Sequence, residues 1–318
     1  MGEKLSNFSF MKHRKIYYII CIVLIVGSIG IGLLRGYNFG IDFTGGTMIE
    51  LEMGRQVEMS DVDAALSEAG VEGSATYAGE NNTQIIIKTS DSLNSDDRDT
   101  LLSTIEEKFS IDSDAVLSVE NIGPSVGDLL KKNAAKAVAA AVILMLIYVA
   151  IRFQWRYGLA AILALVNTLL ILFGFYGLFH ITINSPFIAA MLTILGYGIN
   201  DTIVIFDRIR ENTAGHAKRN TEAMIPLIDK SIRQTVGRSV MTSLTTLIVM
   251  VPLLIICGDT IRSFILPLLV GVIASTLSSI FIATSIWYDI NRVTTKKSYS
   301  GKKSSRKEKE KPAKGPVV

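Results

Sequence analysis

The chain has 318 residues, 49% of them hydrophobic and 19% charged, with a mean hydropathy of +0.39 and a formal net charge of +3. An ordinary pair of soluble domains carries about 25% charged residues, so this composition excludes a soluble enzyme. Uncharged runs at 16–34, 137–151, 157–200, 239–258 and 263–288 hold the apolar excess, and the third is long enough for two passages. About 20 apolar residues cross roughly 30 Å of hydrocarbon. The pattern therefore predicts an α-helical polytopic membrane protein with six transmembrane helices and an inserted extracytoplasmic α+β (ferredoxin-like) domain.

In chain order, residues 1–15 form a basic N-terminus and 16–34 the first transmembrane helix. Its 19 apolar residues exceed a usual signal-peptide core and no Ala-x-Ala site follows, so an uncleaved anchor is expected. The segment 35–133 carries 19 acidic and 7 basic residues. By contrast, Lys4, Lys12, Arg14 and Lys15, the turn with Arg152 and Arg156, the loop 208–238 and the tail from Arg292 are rich in Lys and Arg. Such residues collect on the cytoplasmic side. Six spans place all of these basic segments on one side, so both termini are expected in the cytoplasm of a cell-membrane protein and 35–133 outside. Arg262 is then the only basic residue in the remaining outer loops.

Within 35–133, Thr47, Ile49, Leu51 and Met53 alternate with polar neighbours and predict a half-buried strand. Ser60 with Asp63 reads as a helix start, with Val62, Ala65, Leu66 and Ala69 on one face and Gly70 as the stop. A hairpin follows, from 75–78 through a Gly79-Glu-Asn-Asn turn into 84–89. A second helix starts at Ser95 with Leu101, Leu102, Ile105 and Phe109 aligned, and a strand at 116–122 returns to the membrane through Gly123 and Pro124. This β-α-β-β-α-β order is the split βαβ or ferredoxin-like arrangement.

The region 134–290 supplies the other five membrane helices. In its loop 208–238, Ile225, Ile228, Ile232 and Val236 recur at helical spacing while Lys230, Arg233 and Arg238 lie elsewhere on the wheel. An amphipathic helix on the cytoplasmic face is expected, with a solvated connector as the plainer alternative. The tail 291–318 is Lys- and Ser-rich without periodicity and is expected to be disordered, more a solvated positive-inside tail than a site for anionic lipid or RNA. No specific nucleic-acid partner is expected. Cys21 and Cys257 fall near opposite ends of different spans, too far apart for a disulfide, and no metal-ligand spacing or cofactor motif occurs.

Polar residues inside the spans are where chemistry is expected. In the fourth span, Asn200 and Asp201 precede Asp207 and Arg208, and at 1.5 Å per residue Asp201 lies roughly 9 Å deeper than Asp207. A carboxylate at such depth costs about 2.5–3.5 kcal/mol on insertion scales and is a functional residue by default. It could switch between protonated and ionised forms. The plainer alternative is a cap on the inner end of the span. On the fifth span, Arg238, Thr242, Thr245, Thr246 and Val249 form a polar stripe that could hold the ionised acid, unless Arg238 only snorkels. Gly271, Ser275, Ser279 and Ala283 on the sixth span favour close helix packing over an ion path. The pattern argues against an intramembrane aspartyl protease: Asp207 is turned about 600° from Asp201, nearly the opposite side, and no Gly-x-Gly-Asp occurs.

These residues also carry a resemblance. GIDFTGGT at 40–47, with Gly40, Asp42, Gly45 and Gly46, resembles the signature opening the exported domain in the SecD/SecF family of Sec translocase accessory subunits. GYGINDTIVIFDRIREN at 196–212 is similar to the fourth-span signature of its SecF members, and Arg238 with TSLTT at 242–246 to their fifth span. The likeness covers about residues 12–290. It implies a half-transporter of the resistance-nodulation-division superfamily that pairs with SecD, serves the SecYEG channel and its preprotein substrates, and is not an enzyme. Its ion-coupling residues fall on Asp201 and Arg238, with Asn200, Thr242 and Thr245 beside them. The implied function is completion of protein export on a proton or sodium gradient, with the outer domain swinging on hinges at Gly40, Gly45, Gly46, Gly123 and Pro124. A scaffold that stabilises the translocase without using a gradient remains the alternative. Gly198 departs from the family pattern, which more often has a small hydroxyl residue there. Pro252 implies a kink in the fifth span.

Overall fold

A computed structural model describes residues 9–79, 82–152, 154–214 and 224–292. The expectations for residues 1–8, for part of the hairpin turn at 80–81, for 215–223 of the basic loop and for the tail from 293 fall outside them. Six helices are long and apolar enough to cross a membrane. They are α1 (Arg14–Arg35), α5 (Pro124–Arg152), α6 (Trp155–Phe179), α7 (Ser185–Thr213), α8 (Ile225–Ile256) and α9 (Asp259–Leu277). The last continues through a π turn at Ser278–Ala283, so that the apolar helix as a whole runs Ile261–Arg292. Helices α6, α7 and α9 hold most of the bundle's buried residues. By contrast α1, α5 and α8 turn large apolar side chains such as Val23, Leu144 and Ile248 outward, as suits helices bathed in lipid.

Between α1 and α5 lies a small α+β unit. After the short helix α2 (Ile41–Thr44) come β1 (Gly46–Glu52), α3 (Met59–Glu68), β2 (Gly73–Ala78), β3 (Gln84–Thr89), α4 (Ser95–Phe109) and β4 (Val116–Ile122). The four strands form one antiparallel sheet in the order β2-β3-β1-β4. Period-two alternation places Thr47, Ile49, Leu51, Ile85 and Ile87 on the covered face. There they meet Val62, Ala65 and Leu66 of α3 and Leu101, Ile105 and Phe109 of α4. Helix α4 starts where the sequence indicates: Asn94 is its N-cap, and the Asn94 side chain accepts a hydrogen bond from the Asp97 amide. The start expected for α3 needs correction. Its N-cap is Glu58, without a side-chain cap bond, and Ser60 already lies inside the helix. The apolar face was legible there, but the cap was set by the turn that brings the chain out of β1.

The stretch 225–238 also differs from a helix lying by itself on a membrane surface. It is the first part of α8, one continuous helix of 32 residues, roughly 48 Å long at 1.5 Å per residue. The helix outreaches the hydrocarbon and its opening turns pack on protein. Ile228 and Ile232 join Phe10, Met11, Phe206 and Ile209 in an apolar cluster. Asp229, 2% exposed, fastens this end by accepting from the Met11 amide at 2.9 Å and from Ser9 Oγ at 2.5 Å. Pro252 lies inside α8, and the helix runs past it to Ile256.

Leu101 is fully buried between α4 and the sheet. Leu101→Ala is expected to cost about 2–5 kcal/mol. Hydrogen exchange on the intact chain would show faster exchange at the β1 and β3 amides while the amides of α6 and α7 keep their protection.

Candidate functional site

Asp201 is the most unusual group in the membrane-spanning part. Periodicity on α7 puts it in line with Ile194, Gly198 and Ile205, the residues turned toward α8 and α9, and its residue is only 4% exposed. Carboxylate Oδ2 has no hydrogen-bond partner among the described residues. Ser239 of α8, fully buried, approaches the carboxylate without closing a hydrogen bond to it, and Arg238 acts on it through its charge. An acid so placed is exposed to a penalty of more than about 1–3 kcal/mol for its unmatched oxygen whenever it is ionised. A proton or a small cation beside the carboxylate would relieve that penalty.

A separate chain of hydroxyls lies on the same helices. Tyr197 donates to Ser243 Oγ at 3.3 Å, Ser243 and Thr276 Oγ1 share a hydrogen bond of 2.5 Å, and Thr276 donates to the Val272 carbonyl at 2.9 Å. The seam therefore joins α7, α8 and α9, and it ends where the π turn begins. Such turns place a local defect in the helical ladder and recur at functional sites. On the far side of that turn Ser278 accepts from Asn167 Nδ2 at 2.8 Å, and Asn167 Oδ1 in turn accepts from Cys21 Sγ at 2.9 Å. Both cysteines are free thiols. No group of three or more metal-binding side chains occurs among the described residues.

The polar face of α8 is not quite the one periodicity picked out. Thr235, Ser239 and Ser243 are the buried hydroxyls at spacing four. Arg238 and Thr245 are exposed, and Thr242 is half-buried with its hydroxyl turned back onto the Arg238 carbonyl at 2.9 Å. Asn200 is exposed beside the buried Asp201. Hydroxyls at helical spacing lie on both faces of α8, and only packing against α7 and α9 selects between them. Tyr197, Ser239, Ser243 and Thr276 were thus missed by the sequence reading. The Ser239–Ser243 spacing was the one available signal for them.

The N-terminal end of α7 is fastened to the segment that enters the sheet. Phe39 and Ile183 form a parallel bridge, the Gly40 amide donates to the Ile183 carbonyl at 2.8 Å, and Asp42 Oδ2 accepts from the Ser185 amide at 2.5 Å. Asp42 and Asn184 together satisfy amides of the first turn of α7. The glycines expected as hinges mostly serve close packing. Gly45 (φ +77°) and Gly46 (φ +122°) adopt backbone that favours glycine. A Cβ on Gly45 would meet Pro124 Cα at 2.9 Å, and one on Gly46 would overlap the Thr89 carbonyl. Gly46 also pairs with Ile122 in the sheet, so entry and exit of the unit form one joint. Gly123 alone of this group has open space around it.

Two family profiles match the chain: "Protein export membrane protein SecD/SecF, C-terminal" over residues 103–293 and "SecD/SecF GG Motif" over 34–57. A SecF translocase subunit of Sebaldella termitidis is 37% identical over 95% of this chain and 99% of its own length. One of Haemophilus influenzae is 37% identical over 88% of this chain and 85% of its own. The crystal structure of the translocon-associated membrane protein SecDF of Thermus thermophilus superposes with a TM-score of 0.79 at 36% identity, covering 88% of this chain and 38% of that one. The two profile matches and these relatives define a protein-export membrane protein of the SecD/SecF type. The chain belongs to that family, and within it to the SecF members.

The departure at Gly198 has a packing reason. A Cβ there would overlap Ser275 Oγ and sit 3.1 Å from Leu165 Cδ2. Gly198→Ala is expected to lower thermal stability in detergent, by about 1–3 kcal/mol for an overpacked site. Adding Ser275→Ala should return part of that loss, because the hydroxyl is the nearest obstacle.

Proposed function

We propose that this chain is an accessory subunit of the Sec protein translocase that uses the transmembrane ion gradient, proton or sodium, with a SecD partner, to complete the export of preproteins leaving the SecYEG channel. Membership of the SecF branch supports the translocase role. The Thermus thermophilus relative is called a SecDF subunit, and this chain spans 38% of it, which supports a partner of SecD type. The concentration of Lys and Arg at one end of the helices supports cytoplasmic termini. The acidic α+β unit then lies outside, and its strand order supports a ferredoxin-like arrangement.

One observation carries the coupling reading: a single carboxylate, Asp201, buried with an unmatched oxygen in a hydroxyl-lined seam on the helix whose outer end is tied to the exported unit. Neutralised by a cation, Asp201 is at ease against Ser239. Ionised, it draws Arg238 and the α8 hydroxyls toward it, and α7 and α8 shift against each other. A membrane potential supplies about 2.3 kcal/mol per charge per 100 mV, comparable with the insertion cost of one carboxylate. Helix α7 acts as the rod: its movement reaches Asp42 and the Gly45–Pro124 joint, and from there the sheet. The subunit works as a mechanical coupler, with no catalytic centre of its own.

Asp201→Asn keeps the side chain's size and removes its titration. Gradient-dependent preprotein release from inverted membrane vesicles is expected to fall while the protein accumulates normally, and an unchanged rate would sink the coupling reading. An ionophore should slow release in the unaltered protein, whereas a passive scaffold would be indifferent to it. Asp42→Ala removes a helix-cap interaction of the kind worth about 0.5–2 kcal/mol. It should lower release with Asp201 intact, and in cysteine cross-linking the outer unit should sample more positions relative to α7.

A further inference from the structure

A second site lies at the basic end of the bundle, where α6 begins and α7 and α9 end. A cavity of about 190 Å³ opens there, lined among others by Arg156, Tyr157, Arg210, Thr213, Trp287 and Asn291. None of the described residues lining it is a carboxylate. The neighbouring charges are matched: Arg152 pairs with Asp207 at 3.8 Å and Arg208 with Glu211 at 2.7 Å. Arg210, between these pairs in sequence, has a guanidinium with no ion pair or hydrogen bond among the described residues. Arg156 donates to Asn291 Oδ1 at 2.6 Å and lies over the Trp155 ring at 5.7 Å to its centroid, both partners without a negative charge. Both guanidinium-bearing residues line the one cavity.

Trp287, one of the lining residues, also has a buried donor without an acceptor. Trp287 is 3% exposed and stacks on Tyr157 at 4.9 Å between ring centroids, yet its Nε1–H finds no acceptor among the described residues. A buried indole N–H normally has a partner. Two guanidiniums without an anionic partner among the described residues form a donor set that calls for an oxyanion with several acceptor oxygens, and guanidiniums match phosphate in two-point geometry.

We propose that this cavity binds the phosphate group of an anionic lipid. Position favours a lipid over a free phosphate. The cavity sits where the apolar helices end, beside the 59%-exposed Trp155, at the level where Trp and Tyr mark the membrane interface. Basic pockets between helix ends are suited to lipid headgroups. A headgroup seated there would bridge the start of α6 to the ends of α7 and α9, and so brace the end of the helix that carries Asp201.

The chain has two tryptophans, Trp155 and Trp287, so its intrinsic fluorescence reports on this site. The intact protein would be placed in phosphatidylcholine nanodiscs and titrated with phosphatidylglycerol or phosphatidylcholine bearing brominated chains. Saturable quenching by the anionic lipid at low mole fraction is expected. Arg210→Gln should weaken the apparent affinity about fivefold, as for the loss of one near-surface charge contact. Thermal unfolding would check that the variant is folded in the same discs. Inorganic phosphate added to neutral discs forms the second arm: if it competes at equal strength, the site holds phosphate from solution and the lipid assignment falls. Quenching that follows bromine content alone, whatever the headgroup, or that is the same in Arg210→Gln, would overturn the site altogether.

Discussion

A carboxylate held out of water with one oxygen unmatched is the condition around which the membrane part of this protein is organised. Asp201 has Ser239 near it and Arg238 within electrostatic reach, but neither neutralises it within the bundle as it stands. The apolar clusters on either side are well packed, with Ile194 and Leu195 before it on α7 and Ile205 and Phe206 after it, all nearly inaccessible. Packing of that quality resists gradual deformation and favours a small set of discrete arrangements. Further along α8, the Ser243–Thr276 hydroxyl pair ties that helix to α9.

The same helix is committed at both ends. Toward the basic end its residues Phe206 and Ile209 share a cluster with the N-terminal Phe10 and Met11 and with the opening turns of α8. At the outer end, Asp42, Gly40 and Phe39 hold the loop and first turn in front of it. Lys88 of the sheet adds a contact to Thr182, and burial holds its ammonium below the usual lysine range. The glycines of the entry segment look, in the linear chain, like places where it could flex. In three dimensions Gly45 and Gly46 also permit backbone to approach backbone, so that entry to and exit from the α+β unit lie side by side.

Much of this was legible residue by residue. Alternation of Ile49 and Leu51 with Met48 and Glu50 identified a half-covered strand because side chains of a strand point alternately to opposite faces. Leu101, Ile105 and Phe109 recur at helical spacing and do pack on that strand. Asp201 stood out because an acid in hydrocarbon contradicts its solvation preference. The α8 stripe was harder: Arg238, Thr242 and Thr245 satisfy helical spacing as well as Thr235, Ser239 and Ser243 do, and a one-dimensional pattern has no means of ranking two polar faces of one helix. Likewise Ser60 is as good a cap by composition as Glu58 is a poor one, yet the path of the chain out of β1 decides where the first turn begins.

Taken alone, the order of residues determined how many helices could span a membrane, which segments are basic, the succession of strands and helices in the α+β unit, and the presence of one costly acid. These are local properties, governed by side-chain hydration and by the 3.6- and 2-residue periods of the backbone. Only the tertiary structure decided which hydroxyls meet Asp201, that Gly198 admits Ser275, that Asp42 caps the fourth span from some 140 positions away in the chain, and that Arg156, Arg210 and Trp287 share a cavity. Each of those depends on distances between segments remote in sequence, which are set by how whole helices pack and not by any pattern within one of them.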